Sequence, residues 1–118
     1  MVDDSGTFRR TAAELLMLRG YEVLASVRDG RAAIEAAGRG CPDGVLLDVN
    51  LPDASGLAVA RALAAVCPAV RIVLTSAEVE DVPAAELTRC SAAAFVPKDE
   101  LAVVDLARWF GLDGRSRQ

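Results

Sequence analysis

Three short stretches of the chain are apolar without interruption: Gly44-Val45-Leu46-Leu47-Asp48-Val49, Arg71-Ile72-Val73-Leu74-Thr75 and Ala92-Ala93-Ala94-Phe95-Val96. Continuous rather than alternating apolarity marks strands covered on both faces, as in a parallel sheet flanked by helices. A fourth stretch, Tyr21 to Val27, is more mixed and predicts a strand nearer an edge. Between them lie segments rich in Ala, Leu, Arg and Glu, each about one helix long: Thr7 to Arg19, Gly30 to Arg39, Gly56 to Val66, Val82 to Cys90 and Asp99 to Phe110. Arg28-Asp29-Gly30, Cys41-Pro42-Asp43-Gly44 and Cys67-Pro68 supply the breaks. Strands alternating with single helices imply right-handed crossovers, and so an α/β fold: a doubly wound parallel sheet with helices on both faces. On the last helix Val103, Leu106, Ala107 and Phe110 share one face and are assigned to the core, while Trp109 falls off that stripe. Trp109 is therefore a candidate contact for a partner or for a second copy in a homodimer. Residues 1–112 are expected to form one domain, and 113–118 a tail or the start of a linker.

Composition narrows the functions open to such a fold. At 118 residues there is room for one ordinary core. No apolar run approaches the roughly 20 residues needed to span a bilayer, so no membrane role is expected. The opening Met1-Val2-Asp3-Asp4 has neither the basic nor the apolar region of a secretory signal, and a cytoplasmic location is the expectation. Net charge is −4 with scattered basic residues, which argues against a nucleic-acid-binding surface in this chain. There is no histidine, and Cys41, Cys67 and Cys90 stand far apart without a C-x-x-C pair, so zinc ligation is implausible. The cysteines are expected to be small core or surface residues. Chemistry here must run on carboxylates, hydroxyls and amines.

In open parallel sheets ligands bind beyond the carboxyl ends of the strands, so the polar residues closing each apolar run are the candidates. One run ends in Asp48, the next in Thr75-Ser76, the last leads into Lys98, and Asp3-Asp4 stands just before the first helix. Asp3 and Asp4 could merely cap that helix, and Thr75 could bond its own backbone. Asp48 needs a partner if it is shielded from water. Lys98 is the single lysine among 13 basic residues, placed where a compact point charge serves better than a planar guanidinium. Together these groups suit phosphoryl transfer. Clustered carboxylates and backbone oxygens fit Mg²⁺, one carboxylate can act as nucleophile, and the hydroxyl and ammonium can stabilise phosphoryl oxygens.

With Asp3-Asp4-Ser5, Val45-Leu46-Leu47-Asp48, Leu51-Pro52-Asp53-Ala54-Ser55-Gly56, Leu74-Thr75-Ser76-Ala77 and Phe95-Val96-Pro97-Lys98-Asp99 in this order, the chain resembles the receiver domain of bacterial response regulators from residue 1 to about 110. The resemblance implies a flavodoxin-like sheet of order 2-1-3-4-5 and a phosphoacceptor switch of a two-component phosphorelay. Asp48 would be the phosphoacceptor, and Asp4, Asp48 and the Asn50 carbonyl would hold Mg²⁺ with Asp3 assisting. Thr75 would be the switch hydroxyl, Lys98 the phosphate-contacting cation and Phe95 the switch aromatic. The donor would be a histidine kinase or a phosphotransfer protein. The face of the fourth helix, last strand and last helix would change, and the domain would catalyse at most its own phosphorylation and dephosphorylation.

Two features depart from the family pattern. Lys98 is followed by Asp99 and preceded by Pro97, whereas in many members a proline follows the lysine. The first strand is truncated to Met1 and Val2, so only a strand stub is expected beside the Val45 to Asp48 strand, with apolar side chains exposed around it. One alternative is therefore an interaction module of receiver fold that is not phosphorylated. A phosphatase of the haloacid-dehalogenase type is more remote, because its second acid would fall at Asn50. A nucleotide-binding fold would need a glycine-rich phosphate loop, and neither usual motif occurs.

Overall fold

A computed structural model describes residues 1–77, 84–89 and 92–110. Helix α1 spans Gly6–Leu18, α2 Gly30–Arg39, α3 Gly56–Val66, α4 Ala84–Arg89 and α5 Ala107–Phe110; strands β1, β2 and β3 span Gly44–Asp48, Arg71–Ser76 and Ala94–Pro97. The first three helices begin where a short polar side chain captures a free amide. Ser5 Oγ accepts from Phe8 N, Asp29 Oδ1 from Ala32 N, and Ser55 Oγ from Leu57 N. Of the expected fourth helix, Val82, Pro83 and Cys90 lie outside the described residues.

The three strands are parallel in the order β1-β2-β3, with Asp48 opposite Thr75 and Leu74 opposite Phe95. Their side chains alternate between two cores. Val45, Leu47, Ile72 and Leu74 pack with Ala33, Ala37, Val59 and Leu63 of α2 and α3. Leu46, Val73 and Val96 pack with Ala12 and Leu16 of α1 and with Leu101, Leu106 and Phe110. Each strand is thus covered on both faces, which accounts for its unbroken apolarity.

Beyond β1 the sheet dwindles. Val2 bridges Leu47 on one side and Val27 on the other, both in parallel sense. Its N–H donates to Leu46 O at 2.8 Å and its C=O accepts from Asp48 N at 2.9 Å. The lateral order is therefore the expected one, with the stub at Val2 in the expected place. The strand expected over Tyr21 to Val27 does not form, and only Val27 is bridged. A strand there would pair with the first strand, whose stub reaches only Ala25, through Met1 N, and Val27, through the Met1 carbonyl and Asp3 N. Leu24 is accordingly 66% exposed. Where the missing ladder would run there is a cavity of about 500 Å³, walled by Leu16, Leu46 and Phe110 from one core and Ala37, Val45 and Leu63 from the other.

The helix expected from Asp99 to Phe110 also differs. A 3₁₀ turn covers Lys98–Glu100, irregular turns follow, and helix resumes only in α5. The Arg19 guanidinium donates to the Ala102 and Val104 carbonyls, taking acceptors that a continuous helix would need for its own ladder. Leu106 and Phe110 reach the core as expected, but Val103 is 81% exposed, and the side chain of Ala107 lies outside what the structure describes. The Phe110 ring lies so close to the Gly44 Cα that a β-carbon there would collide with it.

Nor are the cysteines independent. Cys41 and Cys67 form a disulfide that ties the approach to β1 to the end of α3. Both stand directly before a proline at the entrance to a strand, the one feature that distinguishes them in the sequence.

Candidate functional site

The carboxyl ends of β1, β2 and β3 bring Asp48, Thr75 and Lys98 together, and the Val2 bridges bring Asp3 beside them. Asp3 N donates to Val27 O at 3.1 Å, so the stub, short as it is, fixes the residue after it. Asp3 is fully buried, and its Oδ1 accepts from Ser5 N at 2.9 Å. Its Oδ2 lies 2.6 Å from Lys98 Nζ. The same ammonium is 3.4 Å from Asp48 Oδ2, and only 16% of the Lys98 side chain is exposed.

Asp48 closes β1 almost buried, and its Oδ1 accepts from Asn50 N at 3.0 Å. Burial is the main cause holding its carboxyl above the usual 3.8; the Asn50 bond opposes this, the Asp3 charge adds to it, and Lys98 opposes it. Gly56 serves the same residue from behind. Its N–H donates to Val49 O at 2.6 Å, and a β-carbon there would run into the Asp48 carbonyl oxygen. The glycine of the Leu51-Pro52 stretch is thus required by close approach of the α3 start to the end of β1.

Thr75 is buried opposite Asp48, and its Oγ1 has no hydrogen-bond partner among the described residues. A buried hydroxyl without a partner costs stability, which sets Thr75 apart from the other strand-end groups. Phe95 is half-buried against the α2/α3 core. Asn50 is exposed and forms an isolated bridge with Ser55. Trp109 falls in α5, and its side chain lies outside what the structure describes.

Asp3, Asp4 and Asp48 each offer a carboxylate oxygen within 4.8 Å of the others. Asp3 and Asp48 are buried while Asp4 is exposed, so the cluster opens to solvent on one side. Three carboxylates cluster and two of them contact one ammonium, which leaves an acidic pocket of hard oxygen donors suited to a divalent cation.

Two further residues, to which the sequence reading assigns no role, lie around the site. Phe8 places its ring 4.3 Å from Lys98 Nζ. Asp53 accepts from Gly30 N at 2.9 Å and from Arg31 N at 3.0 Å, fastening the loop after β1 to the start of α2. Those two backbone bonds hold its carboxyl below the usual 3.8.

The family model of the response regulator receiver domain matches residues 1–106. This chain belongs to that family. A protein-glutamate methylesterase/protein-glutamine glutaminase of Archaeoglobus fulgidus is 32% identical over 108 residues, covering 91% of this chain and 31% of its own. The chemotaxis protein CheY of Thermotoga maritima is 26% identical over 98 residues, 83% of this chain and 82% of its own. Among solved structures, the signal receiver domain of the putative response regulator NarL from Mycobacterium tuberculosis superposes with a TM-score of 0.73 at 35% identity, covering 83% of this chain and 80% of that one. The receiver domain described here spans about a third of the first methylesterase and about a quarter of a second, from Myxococcus xanthus. Among its described residues no helix is long and apolar enough to cross a membrane.

Proposed function

We propose that this receiver domain is a phosphoacceptor switch that takes a phosphoryl group from a histidine kinase, or from a phosphotransfer protein, onto Asp48. The observation that carries this reading is the buried Asp48 carboxylate, set between a shielded ammonium and the strand partner Thr75, whose hydroxyl has no hydrogen-bond partner among the described residues. An Asp48 oxygen attacks phosphorus, a P–O bond forms as the P–N bond of the phosphohistidine breaks, and the imidazole leaves with the electron pair. Lys98 and Thr75 then each meet one phosphoryl oxygen, where fixed charges and dipoles in a water-poor pocket stabilise the transferring group. Asp3, Asp4, Asp48 and the Asn50 carbonyl would hold Mg²⁺, which when bound neutralises phosphoryl charge. Phosphorylation draws Thr75 toward the new group and lets Phe95 pack inward, biasing a two-state equilibrium read on the face of α4, β3 and the region up to α5.

The test is incubation with acetyl phosphate, with and without Mg²⁺, followed by intact mass of wild type and Asp48→Asn. One phosphoryl group should add to wild type only with the metal, and none to the variant. Stoichiometric labelling that survives Asp48→Asn would move the site elsewhere. Absence of labelling in wild type would favour an interaction module that is not phosphorylated. Lys98→Arg should slow the reaction, since a planar fork cannot replace a point charge at this spot.

A further inference from the structure

We propose that Phe8 is a positioning residue for Lys98: its ring face holds the ammonium beside Asp48 when Asp3 turns to a metal ion. The inference rests on the phosphoacceptor reading above. Lys98 Nζ stands 4.3 Å from the Phe8 ring centroid, inside the roughly 6 Å range over which a cation is attracted to the face of an aromatic ring. The contact is shielded, since the Lys98 side chain is only 16% exposed.

The need for such a support follows from the other contacts of the ammonium. Its nearest partner is Asp3 Oδ2 at 2.6 Å, and Asp48 Oδ2 is farther away at 3.4 Å. Asp3 also belongs to the acidic cluster that suits a divalent cation. An ion that engages Asp3 weakens the closest attraction on Lys98 and repels its charge. A four-carbon stem then has the freedom to swing the ammonium into water. The neutral ring face is a partner for which the metal does not compete. Its position is also tied to the site it serves: Ser5 N donates to Asp3 Oδ1 at 2.9 Å, and Phe8 N donates to Ser5 Oγ at 3.2 Å. Arg9 Nη1 donates to the Asp3 carbonyl oxygen at 2.6 Å, so the first turn of α1 hangs from Asp3 by side chain and backbone together. Phe8 itself is partly buried against the core that contains Ala12, Val96 and Leu101.

Lys98 is the single lysine of the chain, so ¹³C-lysine labelling gives one ε-methylene signal that reports its place directly. In wild type that signal should be displaced upfield by the Phe8 ring current, with and without Mg²⁺. The displacement should vanish in Phe8→Leu and persist in Phe8→Trp. With acetyl phosphate, Phe8→Leu should label about fivefold more slowly, the rate equivalent of ~1 kcal/mol. Phe8→Trp should stay near wild type, and Phe8→Leu should cost nothing further in a Lys98→Ala background. An unshifted lysine signal in wild type, or an equal loss of rate from Phe8→Leu with Lys98 already removed, would overturn the proposal. A wild type that takes up no phosphoryl group overturns the phosphoacceptor reading instead, while the lysine signal still decides whether Phe8 holds the ammonium.

Discussion

Extending the strand stub is the sharpest test of how this sheet is held together. On β1, Asp43 O and Val49 N bond toward β2, whereas Leu46 O and Asp48 N bond toward Val2. Alternation along a strand then turns the Leu46 N–H and the Gly44 C=O toward the 500 Å³ cavity, where a continued first strand would meet them. Placing about five apolar residues directly ahead of Val2 should fill that space with about four buried side chains, at roughly 1.5 to 3 kcal/mol each. Ordering those residues costs about 1.5 kcal/mol apiece, and the two recovered backbone bonds return about 1 kcal/mol each. The remainder runs from about 0.5 to 6.5 kcal/mol, centred near 3.5 kcal/mol, and ~1 kcal/mol is worth roughly 4 °C at this size. The central value puts the extended chain roughly 14 °C higher by calorimetry or circular dichroism, whereas a Gly-Ser extension of equal length should leave the melting point unchanged. Hydrogen exchange adds a local readout, because the Leu46 amide should become protected. If the apolar extension melts no higher than the Gly-Ser one and the Leu46 amide stays unprotected, the cavity is not an open strand site and this account of the sheet is wrong.

Three other outcomes follow from groups already described. Because burial holds the Asp48 carboxyl above 3.8, its ionised form costs stability above the folded pKa, and that cost fades as pH falls through it toward 3.8. Without metal, Asp48→Asn should melt higher than wild type at pH 7, with the gap closing in acid; a lower melting point at pH 7 would contradict the assigned cause. Asp53 has the opposite sign: its carboxyl lies below 3.8, so its contribution is full above 3.8 and lost as pH falls through the folded value. Asp53→Asn should thus lower the melting point at neutral pH, and the difference should disappear in strong acid. The Cys41–Cys67 disulfide spans 26 residues and encloses β1 and α3, for which chain entropy assigns ~3.5 kcal/mol. Dithiothreitol should lower the melting point of wild type by roughly 10 °C or more and leave Cys41→Ser unaffected.

What was legible in the chain was whatever depends on local order. The unbroken apolar runs at Val45–Leu47 and Ile72–Leu74 announce strands buried on both faces. Helices α2 and α3 begin and end where Asp29, Ser55 and their flanking glycines and prolines dictate. The polar residues that close those strands, read with the Asp3-Asp4 pair and the single lysine, are the ones that meet around Asp48. Each of these inferences needs only periodicity, a cap or a strand end, all encoded by neighbours in sequence.

Tertiary structure decided the rest, because it turned on which partner was available. Tyr21 to Ser26 has the composition of an edge strand, but the stub beside it reaches no further back than Ala25, whose carbonyl accepts from Met1 N. The segment from Asp99 to Phe110 has helical composition, yet Arg19, some 80 positions earlier, takes the Ala102 and Val104 carbonyls for itself. The Phe8 ring meets Lys98, and Cys41 meets Cys67, across separations that no local pattern records. Backbone hydrogen bonds and charge pairs are satisfied by whichever group arrives in space, so a sequence states what each segment can offer and only the assembled fold states which offer is taken up.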